Sequence, residues 1–394
     1  MKHIEENYQH NETVLRMAAE FACTHFGSIT PLLDLHCQEF PVNHGIAIQI
    51  FVAAAFFLII VVGILGNAVV MWIIVAHKLM RRRFNYFLFN MAFADCLTVI
   101  LNVGTTWTFN FYYDWWFGNF CAINLLMSVA LTCVSVFTMI IVSWDRCHAI
   151  VFPFSSKPLL NRHSKWLIGG IWFAALVIAS PNAIYATVEK HFFFSPKLQV
   201  LQTHWICKSD FKCKTIYETF ILLVQYVIPL FILSITYGSI AWIIQRENEE
   251  YKRKGKQPAQ FEAKKKVIKM LGLVVTVFMI CWLPYQLYHA LFDNLFDKFN
   301  EFKVSYYTYL IAYWLAMSAA AYNPFIYCLS NNRFRVGFKY AFRWLPFVHC
   351  SNEEYEASEL FPEKPAARLS IQSRDTATRR GYLNKSLHTS SLDS

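Results

Sequence analysis

The chain has 394 residues, 56% of them hydrophobic and only 16% charged, whereas soluble globular domains hold about 45–50% apolar and about 25% charged residues. The apolar residues gather in long runs separated by polar, charged segments, which excludes an ordinary soluble domain and suits a bilayer. The net charge of +10 comes from Lys and Arg that flank those runs, so membrane topology accounts for it and no nucleic acid is needed as a partner.

Residues 1–45 read as an extracellular N-terminal segment. They hold many charges and no early apolar core, so no cleavable signal peptide is expected and the first span serves as its own insertion signal. Asn11-Glu12-Thr13 is a sequon that makes Asn11 a candidate glycosylation site. Seven windows of about 20 apolar residues follow, at roughly 46–76, 84–111, 119–151, 165–187, 216–246, 265–292 and 304–328. Each is long enough to cross a core of about 30 Å as a helix. Neither an internal repeat nor β-barrel alternation is present. The expected fold is an all-α membrane protein, a seven-transmembrane helix bundle over 46–328 with a short amphipathic cytoplasmic helix after it.

Fifteen Lys and Arg fall in one set of loops, within 78–83, 157–165 and 246–266, against seven Lys in the opposite set. Basic loops stay cytoplasmic, so the reading is a multi-pass plasma-membrane protein with its N-terminus outside and its C-terminus inside. Residues 329–350 carry Phe334, Phe338 and Phe342 at every fourth position with basic residues between, an amphipathic helix for the membrane surface. Cys350 after it is a candidate palmitoylation site, with a free buried cysteine as the alternative. Residues 351–394 are polar and Ser/Thr-rich and read as a disordered cytoplasmic tail open to kinases.

Polar groups inside a spanning helix cost a few kcal/mol each, so they mark function or helix–helix hydrogen bonds. Asn67, Asp95, Asp145, Arg146 and Asn323 are such groups. Around them run Gly66-Asn67 in span 1, Asn90 to Asp95 in span 2, Cys121 and Asp145-Arg146-Cys147 in span 3, and Trp172 and Pro181 in span 4. Pro229 and Tyr237 follow in span 5, Cys281-Trp282-Leu283-Pro284 in span 6 and Asn323-Pro324-Phe325-Ile326-Tyr327 in span 7. Together, in order, and with Arg146 25 positions after Cys121, these motifs resemble the rhodopsin-like (class A) G-protein-coupled receptors over about residues 45–345.

The resemblance implies a receptor that does no covalent chemistry, with no catalytic residues. Arg146, held by Asp145 at rest, is released on activation and meets a heterotrimeric G protein, with Tyr237 and Tyr327 as partners in the rearranged state. Pro284 and Pro324 kink their helices, and Trp282, packed with Phe278, lies where it can feel a ligand. Asp95 holds a sodium ion with Ser135 and Asn323, or carries a proton; no cofactor and no other metal is expected. Cys121–Cys207 is the implied disulfide, and Cys23–Cys37 can pair. Cys213 is then left over, and its competition with Cys207 for Cys121 stays open. Arrestin and receptor kinases at the tail, and membrane lipids, are the further partners.

Ser128 stands where amine receptors carry an aspartate, and Met317 where opsins carry the retinal lysine, so neither ligand fits. Ala263 to Met270, Ile280 to Pro284, Trp314 to Ser318 running into Tyr322-Asn323-Pro324, and Arg333 to Lys339 with Pro346-Phe347 resemble the tachykinin (neurokinin) receptors. That likeness implies a neuropeptide ligand and the phospholipase C and calcium branch. It puts Asn102, Asn124, Asn182, Gln286 and Tyr309 in the peptide pocket, where amides suit peptide backbone; the alternative is that some face neighbouring helices. Asn102 and Tyr309 match in type, whereas Gln286 and Asn124 replace histidines and Asn182 a glutamine. Other departures are Cys147 for the usual tyrosine, Asp95 for a glutamate, and Lys264 where some receptors grip the arginine with a glutamate, which predicts raised basal activity. Rival readings are a receptor of another peptide family, such as a neuropeptide Y-like one, and, with less support, a membrane enzyme or channel. Asp95 and Asp145 lie at different depths, and no metal-binding helix motif is present.

Overall fold

The computed structural model describes residues 2–25, 29–30, 35–37, 44–151, 160–254, 259–289 and 302–361. The Asn11 and Lys264 side chains, the end of span 6 beyond residue 289, and the tail beyond 361 lie outside the described parts. Helix α1 is Lys2–His25, ahead of the bundle. The seven bundle helices are α2 (Ile46–Ala76), α3 (Phe84–Tyr112), α4 (Cys121–Val151), α5 (Leu160–Ile184), α6 (Lys214–Arg253), α7 (Ala259–Leu287) and α8 (Phe302–Ser330). Helices α2 to α7 are long and apolar enough to cross a membrane. Helix α8 is 29 residues long but more polar, because six tyrosines line it.

In α3 and α4 the most apolar stretch is 61% and 56% buried, against 22% in α2 and 17% in α5. Helices α3 and α4 are therefore the centre of the bundle, and α2 and α5 turn most of their apolar surface outward. Helix α3 contains a π-helical stretch, Thr98–Val103, and α6 another, Leu223–Val227. Each re-aims the residues beyond it, the usual place for such a bulge being a functional one. Pro181, Pro284 and Pro324 sit inside α5, α7 and α8.

Close approach is set by glycines, Gly63 against Val99 of α3 among them. A Cβ on Gly66 would come within 2.8 Å of the Pro324 ring, and one on Gly337 within 2.6 Å of Ile73. Gly66 lets α2 meet α8 at its proline; Gly337 lets α9 (Asn332–Ala341) lie against α2. Asn331 caps α9 by accepting from the Arg333 N–H. Polar links tie the helices together. Asn67 donates to the Ala320 carbonyl at 2.9 Å, and Asn90 donates to Thr138 at 2.9 Å while accepting from the Trp172 indole at 2.8 Å.

The bundle carries at one end a four-stranded sheet that the residue pattern did not predict. Strands β3 (Ala186–Ser195) and β4 (Val200–Ser209) form a hairpin between α5 and α6. The short strands β1 (Ile29–Thr30) and β2 (Leu35–His36) join it, β2 running parallel to β3. Cys23–Cys37 ties α1 to β2, and Ala19, Leu35 and Phe194 make a small core between helix and sheet.

At the opposite end the tail departs from its expected disorder over 352–361. Helix α10 (Asn352–Glu356) is capped by Ser351, and Tyr355 and Leu360 are buried. An average polar composition hid three apolar anchors, Tyr355, Leu360 and Phe361, which pack against the bundle.

Candidate functional site

Side chains of three depths connect the sheet end to the α9 end. At the sheet end, Cys121–Cys207 fastens β4 to the start of α4. The Trp115 N–H donates to the Trp205 carbonyl and the Trp205 N–H to the Asp114 carboxylate, each at 2.7 Å. Lys208 pairs with Glu189 across the hairpin at 2.7 Å, and that bond holds the Glu189 carboxyl below its ordinary pKa.

Under this end lies a cluster of rings from the end of α7, the two residues that follow it, and α8. Tyr285 meets His289 at 4.6 Å, Tyr288 meets Tyr309 at 5.2 Å, and Tyr309 meets Tyr285 at 6.0 Å and Tyr313 at 6.2 Å between centroids. Phe56 of α2 continues it, 6.1 Å from Tyr313 and 5.6 Å from Trp107. Of these rings the sequence reading singled out Tyr309 alone. The signal was available, since Tyr306, Tyr309 and Tyr313 share one helical face and Tyr285, Tyr288 and His289 another. At the corner, buried His44 stacks on Phe111 at 4.1 Å and bonds Tyr307 at 3.0 Å. Burial lowers its pKa, and the Phe111 carbonyl partly offsets that.

The expected pocket residues divide. Tyr309 belongs to the ring cluster. Asn182, at the end of α5, accepts from Ser209 of β4 at 3.0 Å. Gln286 is buried on α7. Asn102 and Asn124 are 3% and 4% exposed and lie between α3 and α4. Asn124 donates to the Leu101 carbonyl at 2.9 Å and to Thr105 at 2.7 Å, and accepts from Thr106 at 3.1 Å. Asn102, with its amide turned to suit both neighbours, donates to the Asn124 carbonyl and accepts from the Ser128 N–H. These two amides therefore bridge helices.

At mid-depth a cavity of about 30 Å³ is lined by Asp95, Ser135, Phe278, Trp282 and Asn323, among others. Asn323 donates to the Asp95 carboxylate at 2.7 Å, and Trp282 stacks on Phe278 at 5.5 Å. The volume suits one water or one small ion, and a carboxylate with a hydroxyl beside it suits a hard cation. Nearer the α9 end, Arg146 donates to Asp145 at 2.6 Å and lies over the Phe84 ring at 4.6 Å. Tyr237 bonds Ser143 at 3.0 Å, and fully buried Tyr327 packs on Phe334 of α9 at 5.6 Å.

Seven helices with a disulfide-fastened cap at one end, a ring cluster beneath it and an Arg–Asp pair near the other define a seven-helix membrane receptor. The chain belongs to the seven-transmembrane receptors of the rhodopsin family, whose family model matches residues 66–327. It is 40% identical over 379 residues, 95% of this chain and 90% of the relative, to a Caenorhabditis elegans protein named as a probable G-protein coupled receptor, tkr-1. It is 34% identical to the neuromedin-K receptor of Cavia porcellus, covering 79% of this chain and 70% of that one. The substance-P receptor of the same animal is 36% identical, over 78% of this chain and 74% of its own length.

Proposed function

We propose that this chain is a neuropeptide receptor of tachykinin type that activates a heterotrimeric G protein, through the phospholipase C and calcium branch. The observation that carries it is the likeness, over most of the chain, to two receptors named for neuromedin K and substance P. The peptide enters at the sheet end, and its aromatic and apolar side chains meet the rings of Tyr285, Tyr288, Tyr309 and Tyr313. Asn182 and Gln286 supply amides to its backbone, while Asn102 and Asn124 hold the wall behind them. Binding pushes on Trp282, and the Pro284 and Pro324 kinks let α7 and α8 shift between two packings. Asp145 then releases Arg146, Tyr237 leaves Ser143, and the α9 end admits the G protein.

On this reading the α9 end is cytoplasmic, in agreement with the excess of Lys and Arg in its loops, and the sheet end with Asn11 is extracellular. Asp95, Ser135 and Asn323 hold a sodium ion in the resting packing, in agreement with the small volume between them. Cys350 is palmitoylated, and receptor kinases and arrestin act on the Ser/Thr-rich tail. The test is intracellular calcium in cells expressing the chain, challenged with amidated neuropeptides. A tachykinin response that Arg146→Ala abolishes at equal surface expression is expected. Silence to tachykinins with a promiscuous G protein present, and a response to another peptide family, would overturn the ligand assignment.

A further inference from the structure

The tail residues after α9 make a set of contacts that signalling at the sheet end does not require. The Tyr355 hydroxyl lies 2.6 Å from Nε2 of His77, and Nδ1 of His77 donates to the Ile73 carbonyl at 2.9 Å. The Tyr355 ring lies flat on Tyr340 of α9, with 3.6 Å between centroids and 7° between planes. Arg343 covers Tyr340 at 3.9 Å, Phe361 meets both His77 and Tyr355 edge-on, and Glu359 reaches Arg333 at 3.6 Å. One short segment thus bridges the end of α2 and the length of α9, with Tyr355 at its centre. Around that buried tyrosine, Glu353, Glu354 and Glu356 are exposed.

We propose that Tyr355 is a phosphorylation site whose modification releases residues 352–361 from the bundle, carried out by a tyrosine kinase whose substrate groove accepts acidic sequence. In the transfer a new P–O bond forms at the phenol oxygen, the γ-phosphoryl group leaves ATP to give ADP, and the phenol proton goes to solvent. The docked hydroxyl has His77 at hydrogen-bond distance and Phe361 across its ring, so no phosphoryl group fits there; the segment opens before it is modified. Once added, a group with a charge of about −1.5 to −2 can return to a slot walled by Tyr340, Phe361 and His77 only by losing its hydration, a loss that the Arg343 guanidinium beside Tyr340 offsets only in part. Glu353, Glu354 and Glu356 add like charge beside it. The segment then stays free until the phosphate is removed.

Placing a kinase here rests on the reading that puts the α9 end in the cytoplasm. The test is the purified full-length receptor in detergent micelles, which expose both ends, so its failure speaks to Tyr355 and leaves topology untouched. The receptor is treated with ATP, magnesium and the catalytic domain of a recombinant tyrosine kinase. Phosphate at Tyr355 is followed by mass spectrometry, and docking of 352–361 by amide hydrogen exchange. A synthetic peptide of residues 349–360 gives the rate for undocked sequence. The expected result is slower phosphorylation of Tyr355 in the receptor than in the peptide. Tyr340→Ala and His77→Ala each raise the receptor rate at least threefold, and exchange over 352–361 speeds up once phosphate is present. Phosphorylation of the peptide with none at Tyr355 in either variant overturns the site. Equal rates in receptor and variants, or protection of 352–361 that persists after modification, overturn the release.

Discussion

Replacing Gly337 by alanine tests whether α9 is seated on α2 by direct backbone approach. The new Cβ would lie 2.6 Å from both Cγ1 and Cδ1 of Ile73, which is 0% exposed and cannot swing aside. A relaxed carbon–carbon contact needs about 3.5–4.0 Å, so α9 must move by about 1 Å or Ile73 must leave its rotamer. Overpacking of this kind costs about 1–3 kcal/mol. Alanine returns about 1 kcal/mol through helix propensity, which leaves a net loss of about 0–2 kcal/mol. Ile73→Ala alone removes the colliding atoms but opens a cavity, at about 2–5 kcal/mol. In the double variant the alanine methyl fills part of that cavity. The assay is thermal unfolding of the purified receptor and its variants, with α9 docking read by hydrogen exchange over 332–341. The double variant is expected to be at least about 1 kcal/mol more stable than the sum of the two single losses, a coupling characteristic of touching residues. Additive losses, or a Gly337→Ala protein more stable than the parent, would refute the close-approach argument.

Cys207→Ser frees the β3–β4 hairpin from α4 and is expected to lower stability by about 2–4 kcal/mol and to weaken peptide binding, measured as Tm and Kd on the same preparation. Asp95→Asn removes the charge facing the mid-bundle cavity, so added sodium should no longer weaken agonist binding; an unchanged sodium effect on Kd would exclude the Asp95 site. The His44 corner should loosen in acid. The folded-state pKa is depressed below the ordinary 6.5 by burial, so the unfolded chain takes up the proton first. Stability then falls as pH drops below about 6.5 and levels off once the folded-state group also titrates. His44→Gln should flatten that part of the Tm profile between pH 7 and 5, and an unchanged profile would count against it.

The seven spans could be read directly because a bilayer imposes one rule on every one of them: about 20 apolar residues, closed backbone hydrogen bonds and basic ends. The motif residues were legible for a related reason, since a polar group or proline stands out against apolar sequence. Asn67, Asp95, Arg146, Trp282 and Asn323 could be singled out from the chain alone. What each one touches could not. Asn124 looks like Asn182 in sequence, yet the first joins α3 to α4 and the second meets the hairpin, because a helix face is set by its neighbours and by the π-helical turn at Thr98–Val103. The outer sheet was invisible because β2 pairs with β3 across more than 150 positions and the local β3–β4 hairpin shows only weak alternation of apolar and polar residues. The docked tail was missed because three apolar anchors in a polar segment gain their stability only against α9 and the end of α2, and His77 of that end lies 278 positions before Tyr355. Sequence alone determined how many helices cross and which polar groups they carry; tertiary structure decided which of those groups face each other, because contact between distant residues is a property of packing and leaves no local pattern.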